Sequence, residues 1–274
     1  MKIVSIHHAQ HPLRSEIRNA WIDFSEMTAS TVAVVSDVVR DGRPLVGYGF
    51  CSNGRYAQGG IIEGRLIPRL MATPAHALCN DEGTNVDPHR CWDVMMRNEK
   101  PGGHGERSVA VGTLDMALWD LAAKVADVPL HAYLSKHYGD LASAPDLASV
   151  PDLGATSDQT ASSTSSTFAG SPSPRVYTYA AGGYYYPGKG IDALTDEIRR
   201  YLDMGFESVK MKIGGASLAD DMRRIEAVAR VVGDPSHVAV DANGRFDLAT
   251  ALAYNHALEQ IGPKWYEEAG DPLD

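Results

Sequence analysis

From Tyr177 onward the sequence repeats one order: a short apolar run, a turn, then an amphipathic run. Strands are expected at Tyr177–Ala180, Ser208–Ile213, His237–Asp241 and Lys264–Glu267. Helices are expected at Ile191–Met204, Leu218–Val232 and Leu248–Ile261. Each of the first three strands is followed by a helix long enough to return the chain, and the fourth strand stands near the end of the sequence. That pattern predicts a parallel sheet, either doubly wound or a barrel.

The front of the chain obeys a different rule. Residues 1–50 read as strands: Lys2 to Ala9, the β-branched run STVAVVSD, and Pro44 to Phe50 after a turn at Asp41-Gly42-Arg43. Residues 57–138 read as helices. Between Glu106 and Ala126, Val111, Leu114, Leu118, Leu121 and Val125 recur at steps of three and four and make one apolar stripe, which Pro129 closes. Strands first and helices after describe an α+β domain over 1–138. Residues 139–175 are rich in Ser, Thr, Ala and Pro and nearly free of large apolar side chains, the composition of a disordered linker. Residues 176–274 then hold the βα units.

The formal net charge of -10, with no basic stripe, argues against nucleic acid as a partner. The three cysteines, Cys51, Cys79 and Cys91, have no metal-type spacing and suit a reducing compartment. No apolar run reaches the length of a membrane span, and the N-terminus lacks a signal-type apolar stretch, so a cytoplasmic protein is expected.

The stretch GGYYYPGKG, Gly182 to Gly190, lies between a strand and a helix. It is one residue short of a phosphate-cradling loop, which needs Ser or Thr after the Lys. Without that hydroxyl, the expectation is a loop at the sheet's C-terminal edge. Its tyrosines, Tyr186 above all, would offer hydroxyls to a polar ligand, and Lys189 would be solvated.

The second strand carries Lys210-Met211-Lys212. Side chains two apart on a strand share a face, so both lysines point one way while Val209, Met211 and Ile213 point to the helices. Two adjacent buried ammonium groups disfavour one another, which predicts that at least one pKa falls toward neutrality, as in a general base. An edge strand with two solvated lysines is the alternative. The third strand delivers Asp241 at its C-terminal tip and the fourth delivers Glu267. That is where α/β folds place catalytic groups, although an Asp there can also be a helix cap and a Glu an exposed loop residue. Two carboxylates on neighbouring tips suit Mg²⁺, a hard ion with oxygen ligands.

SVKMKIGG, VAVDANGRFD and WYEE, with the helix ERSVAVGTLDMALWDLAAK, resemble the mandelate racemase/muconate lactonizing branch of the enolase superfamily. Within it, RNAWIDF, GYGFCSNGRY, NEKPGGHGERS and YAAGGYYYPGKG look like the D-tartrate dehydratases. The resemblance implies an α+β capping domain followed by a partial (β/α)-barrel, an incomplete TIM barrel. It implies Lys212 as the base that removes the proton α to a substrate carboxylate, and Lys210 as the group that tunes it and touches that carboxylate. Asp241 and Glu267 would be two of three Mg²⁺ ligands. Asn19 and Asn53 would recognise substrate hydroxyls from the cap, with Asn243 and Tyr186 from the barrel. Lys100 would meet a second carboxylate, unless it is a solvated loop lysine; His104 and Arg107 would be structural. The implied reaction is Mg²⁺-dependent dehydration of a hydroxy acid, D-tartrate to oxaloacetate, in a homo-oligomer.

A full (β/α)₈ barrel needs roughly 200–250 residues, and about 100 follow the linker. The family's third metal carboxylate and its later histidine acid have no counterpart in these strands. A truncated homologue with little dehydratase activity of its own is therefore expected. Racemisation or epimerisation of a related hydroxy acid, and a non-catalytic binding or assembly subunit, are the other readings.

Overall fold

The computed structural model describes residues 1–54, 57–100, 105–138 and 177–272, without the side chains of residues 52–54. The expected linker over 139–175 and His104 lie outside these residues. The chain divides into two compact units. One comprises Met1–His11 with Thr28–Arg175, the other Pro12–Met27 with Val176–Asp274.

The first unit is built on an antiparallel sheet ordered β1 (Ile3–Pro12), β2 (Thr28–Arg40), β3 (Arg43–Gly54). β2 and β3 are joined by a tight turn in which Asp41 and Gly42 both take positive φ, 51° and 73°, the backbone that a two-residue hairpin demands. Alternation decides which face is covered. Val32 and Val34 are buried, whereas Tyr48 and Phe50 point away from the core and stay exposed. Between them, Gly47 and Gly49 leave no room for a side chain: a Cβ at either would fall 2.0–2.1 Å from a carbonyl oxygen of the covering helix.

That helix is α4 (Glu106–Val125). The expected stripe is its buried face, with Val111, Leu114, Leu118 and Leu121 inside and Val125 at the margin. The small Ala117 side chain lies against Gly49, where an added Cβ would meet the Ala117 Cβ at 3.3 Å. The helix stops before Pro129 rather than at it. Asp127 adopts φ 58°, and the N–H groups of Asp127 and Val128 close back on Lys124 and Ala123, a C-terminal cap that satisfies orphaned carbonyls. Helices α1 (Ala57–Ile61) and α2 (Ile67–Ala72) run together through a widened turn at Ile62–Leu66. Pro68 removes a donor there, and its ring crowds the carbonyl four residues back. Shorter α3 (Pro88–Met95) and α5 (Leu130–Tyr138) complete the layer. Among the described residues no helix is long and apolar enough to cross a membrane.

The second unit is a four-stranded parallel sheet ordered β4 (Ala180–Gly182), β5 (Val209–Lys212), β6 (Val238–Asp241), β7 (Tyr266–Glu267). Helices α6 (Ile191–Asp203), α7 (Leu218–Val232) and α8 (Leu248–Glu259) follow the first three strands. This is the opening portion of a (β/α)-barrel. Ile198, Val209, Met211, Ile225, Val228, Val238 and Val240 form its core. Ser217 caps α7 by accepting from the Asp220 N–H, and Gly233 ends it at φ 88°; each such cap is worth about 1 kcal/mol. One strand is displaced from expectation. Residues 177–179 are not in the sheet, and β4 begins at Ala180, which pairs with Val209. The sheet therefore takes Gly182, the first residue of the GGYYYPGKG stretch, rather than the tyrosines before it.

Candidate active site

The sheet register sets the site. Lys212 pairs with Asp241, and Asp241 with Glu267, so three charged side chains stand at the C-terminal ends of adjacent strands. Lys210 lies two residues back on the same face as Lys212. Its Nζ is 2.7 Å from Glu267 Oε1 and 3.1 Å from Asp241 Oδ2. Lys212 Nζ donates to Asp241 Oδ2 at 2.6 Å. The remaining oxygens are also taken: Asp241 Oδ1 accepts the Asn243 N–H at 2.9 Å, and Glu267 Oε2 accepts the Trp265 indole N–H at 2.9 Å. Lys210 and Lys212 are not solvated on an edge strand; both amines are nearly enclosed.

At Lys210 the balance runs opposite to the fall expected of at least one lysine of the pair. Burial pulls the Lys210 ammonium down, but its hydrogen bonds to Glu267 and Asp241 and their charges outweigh burial and hold it above its ordinary value. The reason is that the lysines sit beside two carboxylates as well as beside each other. For Asp241, burial pushes the carboxyl up, yet Lys212, the Asn243 N–H and Lys210 together keep it below the usual range.

Asn243 follows Asp241 in the left-handed region, φ 52°, a conformation that Asn tolerates better than most residues. Its Nδ2 donates to Glu268 at 3.3 Å. Its Oδ1 is buried with no hydrogen-bond partner among the described residues, an acceptor left open at the edge of the charged cluster.

The three tyrosines of the first loop have separate roles. The Tyr184 ring lies 5.4 Å from Lys212 Nζ and edge-on to Phe24, so it is Tyr184 that borders the lysine. Tyr185 is turned inward, donating to Asp221 Oδ1 at 2.6 Å. Tyr186 is partly exposed beneath Lys189 Nζ, 4.8 Å from the ring centroid. Lys189 is not solvated: it is 11% exposed, ion-paired to Glu197, and donates to the Tyr184 carbonyl at 3.0 Å. Glu197 also accepts from the Gly183 N–H and the Tyr201 hydroxyl. Burial pushes its carboxyl up, but these donors hold it below the ordinary value. The loop thus gathers donors around an anion, as a phosphate loop would, and the anion is a carboxylate from its own helix. Gly183 makes this possible; it has φ 64°, and a Cβ there would meet Met211 Cβ at 2.5 Å.

Residues 12–27 belong to the same unit. Arg18 and Tyr185 exchange backbone hydrogen bonds at 3.0 and 2.9 Å, which ties this segment to the first loop. Arg245 stacks on Trp21 at 4.4 Å. Asn19 uses its Oδ1 on the N–H groups of Trp21 and Ile22, so that atom shapes its own turn. Asn53 lies on β3, with its side chain outside the described residues. Lys100 is exposed in the first unit. Arg107 there pairs with Glu99, as do Arg65 and Arg69, in keeping with a structural role.

Sequence reasoning missed Asp221. This side chain is fully buried on α7, yet it accepts from Tyr185 and Tyr254 hydroxyls, the Gly214 N–H and Arg224. Arg224 in turn donates to the carbonyls of Lys212 and Gly183. The network clamps the loops after β4 and β5 from behind. Trp265, two residues before Glu267 and just ahead of β7, is a further site residue, and the i, i+2 spacing is the sequence signal for it.

Asp241 and Glu267 share one cation, the Lys210 ammonium, which stands in for a metal between them. Two carboxylates fit two of the oxygen ligands that Mg²⁺ takes. No group of three His, Cys, Asp or Glu side chains converges among the described residues, so the other ligands would come from elsewhere.

Comparison with known proteins agrees with this architecture. The family model for the mandelate racemase / muconate lactonizing enzyme N-terminal domain matches residues 13–134, and the enolase C-terminal domain-like model matches residues 193–274. An arabinonate dehydratase from Saccharolobus solfataricus is 29% identical over 178 residues, 65% of this chain and 38% of that protein. An L-talarate/galactarate dehydratase from Salmonella typhimurium is 27% identical over 63% of this chain and 34% of its own length. A racemase from Streptomyces coelicolor, solved with bound magnesium, superposes with TM-score 0.67 at 23% identity, covering 99% of this chain and 64% of that one. The aligned region is therefore less than two thirds of each of these relatives. Two domain models of one family, matched in order, and the lysine, aspartate and glutamate on successive strand ends show that this chain belongs to the mandelate racemase/muconate lactonizing enzyme branch of the enolase superfamily.

Proposed function

We propose that the chain carries the proton-abstraction half of a Mg²⁺-dependent acid-sugar dehydratase site. The observation that supports it most is the position of Lys212 Nζ, 2.6 Å from a buried carboxylate that also faces Lys210. Lys212 takes the proton α to the substrate carboxylate, and Lys210 meets that carboxylate as a cation. Asp241 and Glu267 hold Mg²⁺. When bound, the ion supplies charge that offsets the negative charge developing on the substrate carboxylate. The open Asn243 Oδ1 accepts from a substrate hydroxyl, since a buried acceptor is seldom left unpaired. Given a separate acid outside this half-site to protonate the β-hydroxyl, the electron pair freed at the α-carbon would expel it as water, and the enol would tautomerise to a keto acid.

The named dehydratase relatives act on arabinonate, talarate and galactarate, which supports a polyhydroxy acid. The stretches RNAWIDF and YAAGGYYYPGKG favour D-tartrate, giving oxaloacetate. Two further relatives are cycloisomerases; racemisation or epimerisation would need the same base and metal, with a proton returned to the α-carbon by another group instead of loss of the hydroxyl. The histidines of this unit, His237 and His256, lie just before β6 and on α8, away from the C-terminal strand ends. The first half-reaction is therefore the one to test. The chain is incubated with Mg²⁺ and D-tartrate, galactarate or arabinonate in D₂O, and α-proton exchange and keto acid are followed by NMR. Exchange that needs both Mg²⁺ and Lys212 is expected. Exchange without keto acid would favour the racemase reading. No exchange with any of the acids would remove the proposal.

A further inference from the structure

The two oxygens of Glu267 are treated differently. Oε1 faces the cation position held by Lys210, at 2.7 Å. Oε2 receives the Trp265 indole N–H at 2.9 Å. Glu267 is the more exposed of the two carboxylates, its side chain 32% exposed against 2% for Asp241. Asp241 is fixed by its burial and by the Asn243 N–H on its second oxygen. Glu267 has a longer side chain, sits on the two-residue strand β7, and has more rotamers to lose. A single directed donor on Oε2 selects among them.

Trp265 is itself fixed. Its carbonyl accepts the Val240 N–H at 3.1 Å, which pins its backbone to β6. Its ring meets Tyr179 edge-on, centroids 5.2 Å apart and planes at 73°. Tyr179 in turn lies 5.7 Å from Lys210 Nζ. An aromatic wall thus runs beside the charged cluster and holds one N–H aimed at one carboxylate oxygen. An indole can only donate, so the contact occupies Oε2 and leaves Oε1 turned toward the cation.

We propose that Trp265 is a positioning residue for the cation site: its indole N–H orients Glu267 so that Oε1 is presented to a divalent ion. This rests on the Mg²⁺ reading given above. Partners of this kind, hydrogen-bonded to a metal ligand, typically contribute about 10–100-fold to metal affinity.

Trp265→Phe removes the N–H and keeps an aromatic ring against Tyr179. Mg²⁺ binding to the full chain is measured by calorimetry. The Kd is expected to rise about 10-fold or more in W265F, with the thermal midpoint in the absence of Mg²⁺ little changed. Trp92→Phe, on an exposed tryptophan of the other unit, should leave the Kd as it is. In parallel, the chain has four tryptophans, so its ¹⁵N spectrum carries one indole resonance for each, and the one lost in W265F is that of Trp265. That resonance should move on Mg²⁺ addition and again in Glu267→Gln. If W265F does not fold, the same resonance is identified by elimination, from Phe replacements at Trp21, Trp92 and Trp119. Binding of Mg²⁺ by W265F as tight as wild type, or an indole resonance indifferent to Mg²⁺ and to Glu267→Gln, would overturn the inference alone. A wild-type chain that binds no Mg²⁺ at all would overturn the metal reading with it.

Discussion

Lys212 Nζ and Asp241 Oδ2 lie 2.6 Å apart at paired positions of β5 and β6. The group assigned to remove a proton and a group assigned to hold a cation thus neutralise each other. The pair also dissects cleanly, because Asp241 keeps Lys210 as a second cation when Lys212 is removed. Lys212→Met is therefore expected to fold and to bind Mg²⁺, with α-proton exchange reduced about 10²–10⁴-fold, the usual contribution of a positioned base. Exchange rates by NMR beside a calorimetric Mg²⁺ titration read both halves. Loss of Mg²⁺ binding with exchange intact would reverse the assignment.

The Lys189–Glu197 pair gives a stability prediction that also separates it from phosphate chemistry. Both side chains are nearly enclosed, 11% and 13% exposed. Lys189→Met leaves the Glu197 charge with only the Gly183 N–H and the Tyr201 hydroxyl. Breaking one side of such a buried pair costs about 3–5 kcal/mol, readable as a lower urea midpoint with the slope unchanged. Wild-type chain titrated with ATP should show no thermal stabilisation, because the loop's donors already hold a carboxylate.

Acid should weaken the barrel unit through the same groups. Glu197 and Asp241 are both depressed in the folded chain. A depressed carboxyl binds its proton more readily when unfolded, so its contribution is complete above the unfolded value, about 4 for these groups. It is lost as pH falls through the lower folded value. Thermal midpoints are expected to hold near neutrality and to drop below about pH 4, and Glu197→Gln should flatten that limb. A wild-type midpoint unchanged down to about pH 3 would contradict the pairings.

The parts of this fold that show in the sequence are those set by short-range periodicity. The stripe on α4 and the alternation of βα units read directly, because every third or fourth residue, or every second, repeats the same burial. Lys210, Lys212, Asp241 and Glu267 also read directly, since a strand end is a position that the apolar run before it marks. What did not read is where the chain curls back. Lys189 looks solvated until its loop is seen to fold over Glu197 on the following helix. Asp220 and Asp221 are the same residue type side by side at the start of α7, yet one is half-exposed and pairs with Ser217 and Arg223 while the other is wholly buried among four donors. Only the rotation of α7 against the sheet separates them, and the spacing of its apolar residues defines that rotation too coarsely to assign one Asp to the inside. The rise in the Lys210 pKa does not read for a related reason: sequence sets lysines and carboxylates on neighbouring strands, and only the register shows that both carboxylates reach Lys210.

Asp221 tests that last point. Its carboxylate takes the Tyr185 and Tyr254 hydroxyls, the Gly214 N–H and the Arg224 guanidinium. Asp221→Ala leaves Arg224, 13% exposed, beside two carbonyls and no anion, along with two buried hydroxyls short of an acceptor. A loss of about 3–5 kcal/mol is expected, as large as for Lys189→Met although Asp221 touches none of the charged groups at the strand ends. Asp221→Asn keeps the shape and one acceptor oxygen but removes the charge. Its amide nitrogen would face donors, so it should recover only part of the loss. Urea denaturation of both variants, with Asp220→Ala beside them, reads the comparison. The Asp220 side chain is about half exposed, and its replacement should move the urea midpoint far less, as for a surface pair. Equal destabilisation by the Asp220 and Asp221 variants would mean that the buried network is not what holds the loops after β4 and β5 in place.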